Sequence, residues 1–136
     1  MEEISVTTNE KSEFVDISME VAMFLDRHAD AGWKNGFVCV YCPHTTCGVT
    51  TNEGYDEDLQ EDFQQFFARM MPEGISFKHD EGNADAHIKA SLMGSSCLVP
   101  VDEDGFIDFG MWQKVFLCEF DGPRTRTLFL SFIQAQ

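Results

Sequence analysis

Residues 77–94 read FKHDEGNADAHIKASLMG, and the predicted fold and site are organised around this stretch. It carries two of the four histidines, His79 and His87, and a cluster of carboxylate and amide side chains: Asp80, Glu81, Asn83 and Asp85. Because an asparagine side chain can accept a hydrogen bond from a backbone amide one turn on, Asn83 predicts the start of a helix. Gly82 lets the entering loop turn sharply. We therefore expect the loop histidine, His79, to fold back toward His87 in the first helical turn.

A third histidine, His44, lies upstream in PHTTCGVTTNEG, residues 43–54. Three neutral imidazoles with one open coordination position form the usual ligand set of a catalytic zinc or a similar divalent metal. We therefore predict that the two stretches meet and form one site. The residues alone leave an alternative open, in which His79 is a solvated loop residue and His87 makes a core contact. In the H-E-x-x-H motif of zincins, the two histidines lie four residues apart on one face of a helix. His79 and His87 are eight residues apart, so a zincin mechanism does not follow.

The charge of the chain limits its partners. The chain has 136 residues, with 9 Lys and Arg against 24 Asp and Glu, and a formal net charge of −15. This length predicts a single domain, residues 1–136. The acidic balance argues against nucleic acid or an anionic membrane as a partner, since both repel negative charge. It favours metal ions, and a small anionic substrate would need a local basic pocket or a bound metal.

The N-terminal region and the cysteines indicate a reducing, cytoplasmic location. Residues 1–11, MEEISVTTNEK, are acidic and lack the apolar region of a signal peptide, and no apolar run approaches the ~18 residues of a membrane span. Five cysteines are an odd number, which favours reduced thiols. Cys39 and Cys42 form a C-x-x-C within a predicted strand, where they point to opposite faces. Buried strand cysteines are therefore favoured over a zinc knuckle.

Hydrophobic periodicity and turn signals predict three helices and a series of strands. The helices are expected at residues 18–31, capped by Ser18 and ended by Gly32, at residues 56–71, ended by Pro72 and Gly74, and from residue 83 onward. Strands are expected at residues 4–8, 13–17, 37–42, 49–51, 95–101, 106–109, 113–120 and 126–133. Hairpins interspersed with helices predict an α+β fold with a mixed, largely antiparallel sheet.

Two arginines near the C-terminus and an aromatic pair before them are further candidates. Arg124 and Arg126 bracket the last predicted turn, and an arginine fork binds carboxylate or phosphate through two hydrogen bonds. In an acidic protein such arginines often pair with Asp or Glu, including across a subunit boundary, so both interpretations stay open. Trp112 and Gln113 follow Gly110 and could line a pocket or an interface, although core burial of Trp112 is an equal alternative.

Three motifs resemble the YjbQ-like family, small proteins also labelled secondary thiamine-phosphate synthase enzymes: HTT…NEG at 44–54, HDEGNADAHIKASLMGSS at 79–96 and DGFIDFGMWQKVFLCEFDGPRTR at 104–126. The resemblance covers residues 13–132. It implies an α+β fold whose sheet closes toward a half-barrel, a homotrimer, and a metal site built from His44, His79 and His87. The family usually has threonine where this chain has Met111. If that hydroxyl contacts a ligand, the substrate preference of this chain would differ, and if it faces the sheet core, nothing changes.

The resemblance also implies thiamine-phosphate synthase activity, which joins a pyrimidine pyrophosphate to a thiazole phosphate and expels pyrophosphate. A divalent metal, with zinc the first expectation, and an arginine would stabilise charge on the leaving group. The expected ligand-binding residues are Arg124, Arg126, Asn83, Trp112 and Gln113. The residues expected to orient a ligand or move a proton are Glu53, Glu81 and Asp85. Two alternatives stay open: a metal-dependent hydrolase on the same three-histidine site, and a non-catalytic metal-binding protein.

Overall fold

The computed structural model describes residues 1–72 and 75–136, so Gly74, expected to help end the second helix, lies outside the described residues. The helices are α1 (Ser18–Arg27), α2 (Glu57–Met70) and α3 (Ala84–Met93), and a 3-10 turn, Ala29–Ala31, follows α1. The strands are β1 (Glu2–Thr7), β2 (Glu13–Asp16), β3 (Gly36–Tyr41), β4 (Cys47–Glu53), β5 (Ser96–Val101), β6 (Gln113–Glu119) and β7 (Thr125–Gln134). This order confirms the predicted α+β class with three helices. Within the described residues, none of the helices is both long and apolar enough to cross a membrane.

The described strands form two open sheets that do not close into a barrel. One sheet has four strands in the order β1-β7-β3-β5, and the other has three strands in the order β2-β6-β4. In the first sheet, Cys39 of β3 lies opposite Leu98 of β5 and Ser131 of β7. Each pairing between the described strands is antiparallel. The predicted half-barrel-like sheet is thus divided into two antiparallel sheets.

The main core joins residues of both sheets to α1. Along β3, Gly36, Val38 and Val40 are buried, while the residues between them are partly exposed. This alternation is expected of a strand with one covered face, because successive side chains point to opposite sides. Val21 and Leu25 of α1 pack into the same cluster. Burial of each Val, Leu or Phe side chain contributes about 1.5–3 kcal/mol, so this cluster provides most of the driving force for folding.

A second cluster attaches α2 and α3 to the other face of the three-stranded sheet. It consists of Phe67, Ala86, Ala90, Phe116, Cys118 and Phe120. The small side chains on α3 let the helix lie close to the sheet, and Gly48 of β4 allows the closest approach. A Cβ atom at Gly48 would lie only 2.6 Å from the carbonyl oxygen of Gly94. This packing holds α3, which carries His87, against the strand that follows His44.

The outer face of the four-stranded sheet is apolar and exposed. Tyr41, Leu98 and Ile133 are 46%, 52% and 47% exposed, and Tyr41 stacks on Phe129 with ring centroids 6.4 Å apart. Phe37 lies opposite Ile133 in the strand register. We call these five residues the apolar sheet face. A contiguous exposed apolar surface of this kind is typical of an interaction site.

Helix α1 begins and ends differently from the prediction. Ser18 is its first residue and not its cap, and the Ser18 hydroxyl instead accepts a hydrogen bond from the backbone amide of Val115 at 2.9 Å. The helix ends at Arg27, and the following residues tighten into the 3-10 turn. Gly32 then ends the segment in the left-handed conformation, with φ 64°, as predicted for a C-cap glycine.

The prediction of a strand at residues 106–109 is wrong. Among the described residues, it is reduced to an isolated bridge between Val101 and Ile107. The Asp102 carboxylate accounts for the difference, because it accepts a hydrogen bond from the backbone amide of Phe106 at 2.8 Å and extends the preceding turn into this segment. The segment therefore follows the turn and adds no described strand to either sheet.

Candidate functional site

The loop of residues 43–46, the start of α3 and the turn before β7 meet at one end of the fold. They line an open cavity of about 350 Å³ at the surface, which we call the histidine cavity. Its walls are formed by Pro43, His44, Thr45, Thr46, Glu81, Asn83, His87, Arg124 and Arg126. All but Pro43, Thr45 and Thr46 are predicted site residues. Segments far apart in the chain therefore bring most of the predicted site together.

His44 is held by the backbone of β7. Strand β3 ends at Tyr41, opposite Phe129 of β7, and the His44 imidazole lies beside the preceding part of β7. Its Nε2 atom is 3.0 Å from both the amide nitrogen and the carbonyl oxygen of Thr127. Burial, followed by the nearby charge of Arg126, lowers the pKa of His44. The imidazole is therefore neutral at neutral pH, which is the form that binds metal ions.

The tautomer of His44 decides what its second ring nitrogen can do. If Nε2–H donates to the Thr127 carbonyl oxygen, the lone pair of Nδ1 is available to a ligand. If Nε2 instead accepts from the Thr127 amide, Nδ1 carries the proton. Metal-binding histidines usually donate their other ring N–H to a carbonyl or a carboxylate. The contact with Thr127 thus permits the tautomer that metal binding requires.

His79 and His87 contact each other at the start of α3. Their ring centroids are 5.1 Å apart, and the ring planes meet at 80°. His79 Nε2 lies 3.0 Å from Asn83 Oδ1, so the imidazole N–H donates to the side-chain amide oxygen. His87 lines both the histidine cavity and an adjoining cavity beside Cys47. The loop histidine therefore folds back onto the helix histidine, as their spacing predicts.

Asn83 occupies the N-cap position of α3, as predicted, but its side chain caps no amide of the helix. Its carboxamide oxygen accepts from His79, and its amide nitrogen donates to Asp121 Oδ2 at 3.0 Å. Asp121 also accepts from Arg124 Nη2 at 2.7 Å. Burial raises the pKa of Asp121, but the hydrogen bonds from Asn83 and Arg124 outweigh it, and the pKa is lowered. Asn83 thus connects the loop histidine to the arginine.

The three predicted metal ligands, all imidazoles, do not converge on a single point in the structure. Within residues 1–72 and 75–136, no three His, Cys, Asp or Glu side chains lie close enough together to hold a metal ion. The donor set itself suits a metal, because His79 contacts His87 and His44 lines the same cavity as His87. Binding one ion with all three imidazoles would require these side chains to move toward one another.

Arg126 meets an acidic residue of its own chain. The residue is only 3% exposed, and its Nε donates to both carboxylate oxygens of Glu119, at 2.9 and 3.2 Å. Its Nη2 donates to Thr46 Oγ1 at 2.9 Å, which fixes the loop that carries His44. Burial raises the pKa of Glu119, but the hydrogen bonds from Arg126 and Thr8 outweigh burial and lower it. The charge of Arg126 is therefore balanced inside the protein.

Arg124 is the more accessible of the two arginines. Its side chain is 51% exposed. Its Nε donates to the carbonyl oxygen of Asp121, and its Nη2 donates to the Asp121 carboxylate, both at 2.7 Å. These contacts hold the guanidinium at the wall of the histidine cavity. Because an arginine side chain has five N–H donors, Arg124 retains donors for an anionic ligand.

Glu81 and Asp85 both lie near His79. Glu81 lines the histidine cavity, and its Oε2 atom is 3.8 Å from His79 Nε2. Asp85 accepts a hydrogen bond from Lys89 Nζ at 3.3 Å and lines a neighbouring cavity together with His79. Glu81 is thus the carboxylate that can face a ligand in the histidine cavity. The Asp85 carboxylate is instead paired with Lys89.

Glu53, Trp112 and Gln113 lie away from the histidine cavity. Glu53 pairs with Gln113 at one end of the three-stranded sheet, whereas Cys47 pairs with Glu119 at the other end. At about 3.4 Å per residue, the two ends of β4 are roughly 20 Å apart. Within one chain, these predicted ligand-binding and catalytic residues therefore do not join the histidines.

The surface around Trp112 is exposed. Trp112 is 60% exposed and meets Tyr55 edge-on, with ring centroids 6.2 Å apart. The alternative that Trp112 is a core residue is therefore wrong. Met111 is 80% exposed, so a threonine hydroxyl at this position would face neither the core nor the histidine cavity of the same chain.

Cys42 and Cys47 form a buried thiol pair at the two ends of the 43–46 loop. Each residue is 1% exposed, and the two Sγ atoms are 3.3 Å apart. The hydrogen bond between the thiols lowers the pKa of Cys42 to about 7 and raises the pKa of Cys47. Sequence reasoning considered Cys42 together with Cys39 and missed Cys47. The available signal was that Cys42 and Cys47 directly flank the loop that carries His44.

Comparisons with known proteins identify the relatives of this chain. A family model described as UPF0047 protein YjbQ-like matches residues 2–135. The chain is 40% identical over 131 residues to UPF0047 protein YugU of Bacillus subtilis strain 168, which covers 96% of both chains. It is 41% identical over 126 residues to a UPF0047 protein of Archaeoglobus fulgidus, which covers 91% of this chain and 94% of the relative.

Solved structures agree with the sequence comparisons. An uncharacterized conserved protein of the YjbQ/UPF0047 family from Clostridium acetobutylicum matches with a TM-score of 0.89 at 41% identity, over 98% of this chain and 100% of that chain. A YbjQ-like protein of unknown function from Sulfolobus solfataricus P2 matches with a TM-score of 0.88 at 31% identity, over 98% and 96% of the two chains. The two-sheet architecture is therefore common to these relatives.

Proposed function

This chain belongs to the UPF0047 YjbQ-like family, and we propose that it is a metal-dependent enzyme acting on a phosphorylated small molecule. The observation that carries the proposal is the histidine cavity, whose wall contains His44, His87 and Arg124, with His79 in contact with His87. The proposed reaction class is that of a thiamine-phosphate synthase, in which a pyrophosphate leaving group develops negative charge. An accessible arginine and a metal ion held by imidazoles are groups that can stabilise that charge.

The charge balance supports a role for both a metal and an arginine. The chain carries a formal charge of −15, so an anionic substrate is repelled unless local positive charge offsets that field. Arg126 is paired with Glu119, and Arg124 shares its charge with Asp121. A bound divalent cation would supply the additional positive charge that a phosphorylated substrate needs.

His44, His79 and His87 are the proposed metal ligands, with zinc the first candidate because imidazole nitrogens suit it. The metal would supply Lewis-acid stabilisation of the leaving phosphate oxygens. Thr127 would hold His44 through its carbonyl oxygen and so leave Nδ1 free for coordination. Asn83 would orient the His79 ring through the hydrogen bond to Nε2.

The other residues of the cavity receive separate roles in this proposal. Arg124 binds phosphate oxygens through the donors that Asp121 leaves free. Glu81 orients the ligand or accepts a proton, since it is the carboxylate that lines the histidine cavity. Arg126 is a positioning residue, because it holds Thr46 and therefore the loop on which His44 lies.

Self-association and a cytoplasmic location are also part of the proposal. The apolar sheet face supports self-association, because monomeric proteins rarely leave a large contiguous apolar surface uncovered, and the number of subunits that we propose is three. The five cysteines, all among the described residues, are unpaired, which suits a reducing compartment.

A product assay tests the proposed activity. Zinc-loaded protein is incubated with the pyrimidine pyrophosphate and the thiazole phosphate, and thiamine phosphate and pyrophosphate are separated by chromatography. The proposal expects both products from the wild type and from Arg69→Gln, and at least about a tenfold lower rate from Arg124→Gln. Release of inorganic phosphate without joining of the substrates would favour a hydrolase. Metal binding without any turnover would favour a non-catalytic protein.

A further inference from the structure

We propose that Cys42 and Cys47 are a redox-active dithiol that a peroxide oxidises to an intramolecular disulfide. Their Sγ atoms are 3.3 Å apart. A disulfide bond is about 2.05 Å long, so the sulfurs need to approach by roughly 1.2 Å. Because the two residues flank a short loop, residues 43–46, a local adjustment of that loop brings them together. This inference goes beyond the proposed function and does not depend on it.

The two thiols are already each other's partners. Besides the contact between the sulfurs, Cys42 Sγ donates to the carbonyl oxygen of Cys47 at 3.5 Å. Both residues belong to the main core cluster, which holds them in place. Among the described residues, no hydrogen bond joins two sulfurs except this one, so Cys39, Cys97 and Cys118 serve as internal controls.

A small oxidant has a path to one member of the pair. Cys47 lines a cavity of about 530 Å³ that it shares with His44 and His87. A molecule as small as hydrogen peroxide can enter such a space. Cys42 is not among the described residues that line this cavity. The cavity therefore gives the peroxide access to the pair through the side on which Cys47 lies.

The oxidation balances with the peroxide as the two-electron acceptor. One sulfur of the pair attacks one peroxide oxygen, the O–O bond breaks and hydroxide leaves, which forms a sulfenic acid. The other sulfur then attacks the sulfur of the sulfenic acid, the S–S bond forms as the S–O bond breaks, and a second hydroxide leaves. The two thiol protons convert the hydroxides to two waters. A small dithiol reductant reverses the change by thiol–disulfide exchange.

The disulfide alters the wall of the histidine cavity. It closes residues 42–47 into a covalent ring that includes His44 and Thr46. Thr46 is held by Arg126, so the loop is anchored at one point while the sulfurs draw together. The oxidation state of the pair therefore determines the position of His44 relative to β7.

Mass spectrometry of the folded wild-type protein tests the proposal. The protein is treated with hydrogen peroxide, denatured, alkylated and digested. The expected result is one peptide that contains both Cys42 and Cys47, carries no alkyl group on either, and is about 2 Da lighter than its unalkylated reduced form, with both residues becoming open to alkylation after dithiothreitol. Cys42→Ala and Cys47→Ala each abolish the cross-link, whereas Cys39→Ala, on the outer face of β3, retains it.

Three results would overturn the proposal: retention of all five thiols, oxidation to sulfinic acid without a cross-link, or a cross-link through another cysteine. Because the first measurement uses the wild-type chain, it remains decisive even where an alanine variant fails to fold. The Cys39→Ala control separates a specific reaction of the pair from general thiol oxidation.

Discussion

The Arg126 guanidinium and the Glu119 carboxylate form a buried ion pair, with Nε donating to both carboxylate oxygens at 2.9 and 3.2 Å. The two residues are 3% and 0% exposed. Arg126→Gln would leave a buried carboxylate without its cation, which typically lowers the free energy of unfolding by about 3–5 kcal/mol. We expect that loss in urea denaturation of the variant.

The matched control is Arg124→Gln. The same substitution at this exposed ion pair should lower the free energy of unfolding by less than about 1 kcal/mol, because solvent screens the charges. Equal losses in the two variants would contradict the distinction between a structural Arg126 and an accessible Arg124.

The free energy of unfolding should also fall at acid pH, because protonation of Glu119 removes its ion pair with Arg126. Its pKa in the folded chain lies below the ordinary value of 4.5, so the unfolded chain takes up the proton at a higher pH than the folded chain does. The stabilisation is therefore complete above about pH 4.5 and is lost as the pH falls through the folded-state pKa. Thermal unfolding across this window should show a shallower pH dependence for Glu119→Gln. A variant with the slope of the wild type would refute this assignment.

Local contacts are the part of the site that sequence reasoning predicts well. His79, Asn83 and His87 lie within one short stretch, so histidine spacing and the N-cap preference of asparagine suffice to place them together. The placement of His44 follows from its position just after a buried strand, where side chains reach the edge of a sheet. The use of the Asn83 side chain was not predictable, because its partner Asp121 lies on a distant turn.

Contacts between the two sheets could not be predicted from a single sequence. Glu119 ends β6 and Arg126 lies in β7, but these strands belong to different sheets, so no hairpin register relates them. Cys42 and Cys47 meet for the same reason, since the loop between them passes from one sheet to the other. Glu53 was expected at the site because nothing in the sequence shows that β4 carries it to the end of the sheet away from Cys47.

The proposed homotrimer is tested through the apolar sheet face. Leu98→Glu places a charge on this surface and should lower the mass seen by light scattering from three chains to one. Met19→Glu, at a residue 68% exposed on α1, is the control that should keep the trimer. A wild-type monomer at micromolar concentration would refute the trimer, and a trimer that survives Leu98→Glu would place the interface elsewhere.

Arg124 should contribute directly to the binding of an anionic ligand. A bidentate hydrogen bond to a charged group contributes on the order of 1.5–3 kcal/mol, so Arg124→Gln should weaken pyrophosphate binding about ten- to a hundredfold. Calorimetric titration measures the affinity, and light scattering of the same samples checks the subunit mass. Arg69→Gln, in the last turn of α2, should bind as the wild type does. An unchanged affinity in Arg124→Gln would leave the ligand role without support.

The metal content of the purified protein tests the central claim most directly. The protein is loaded with zinc, desalted and analysed for zinc per chain as wild type, His79→Ala, His87→Ala and the control His28→Ala, whose imidazole contacts Glu2 far from the cavity. We predict about one zinc per chain in the wild type and in His28→Ala, loss of bound zinc in the other two variants, and weaker uptake below about pH 6, where imidazole is protonated. Unchanged zinc stoichiometry in both His79→Ala and His87→Ala would contradict the proposed metal site.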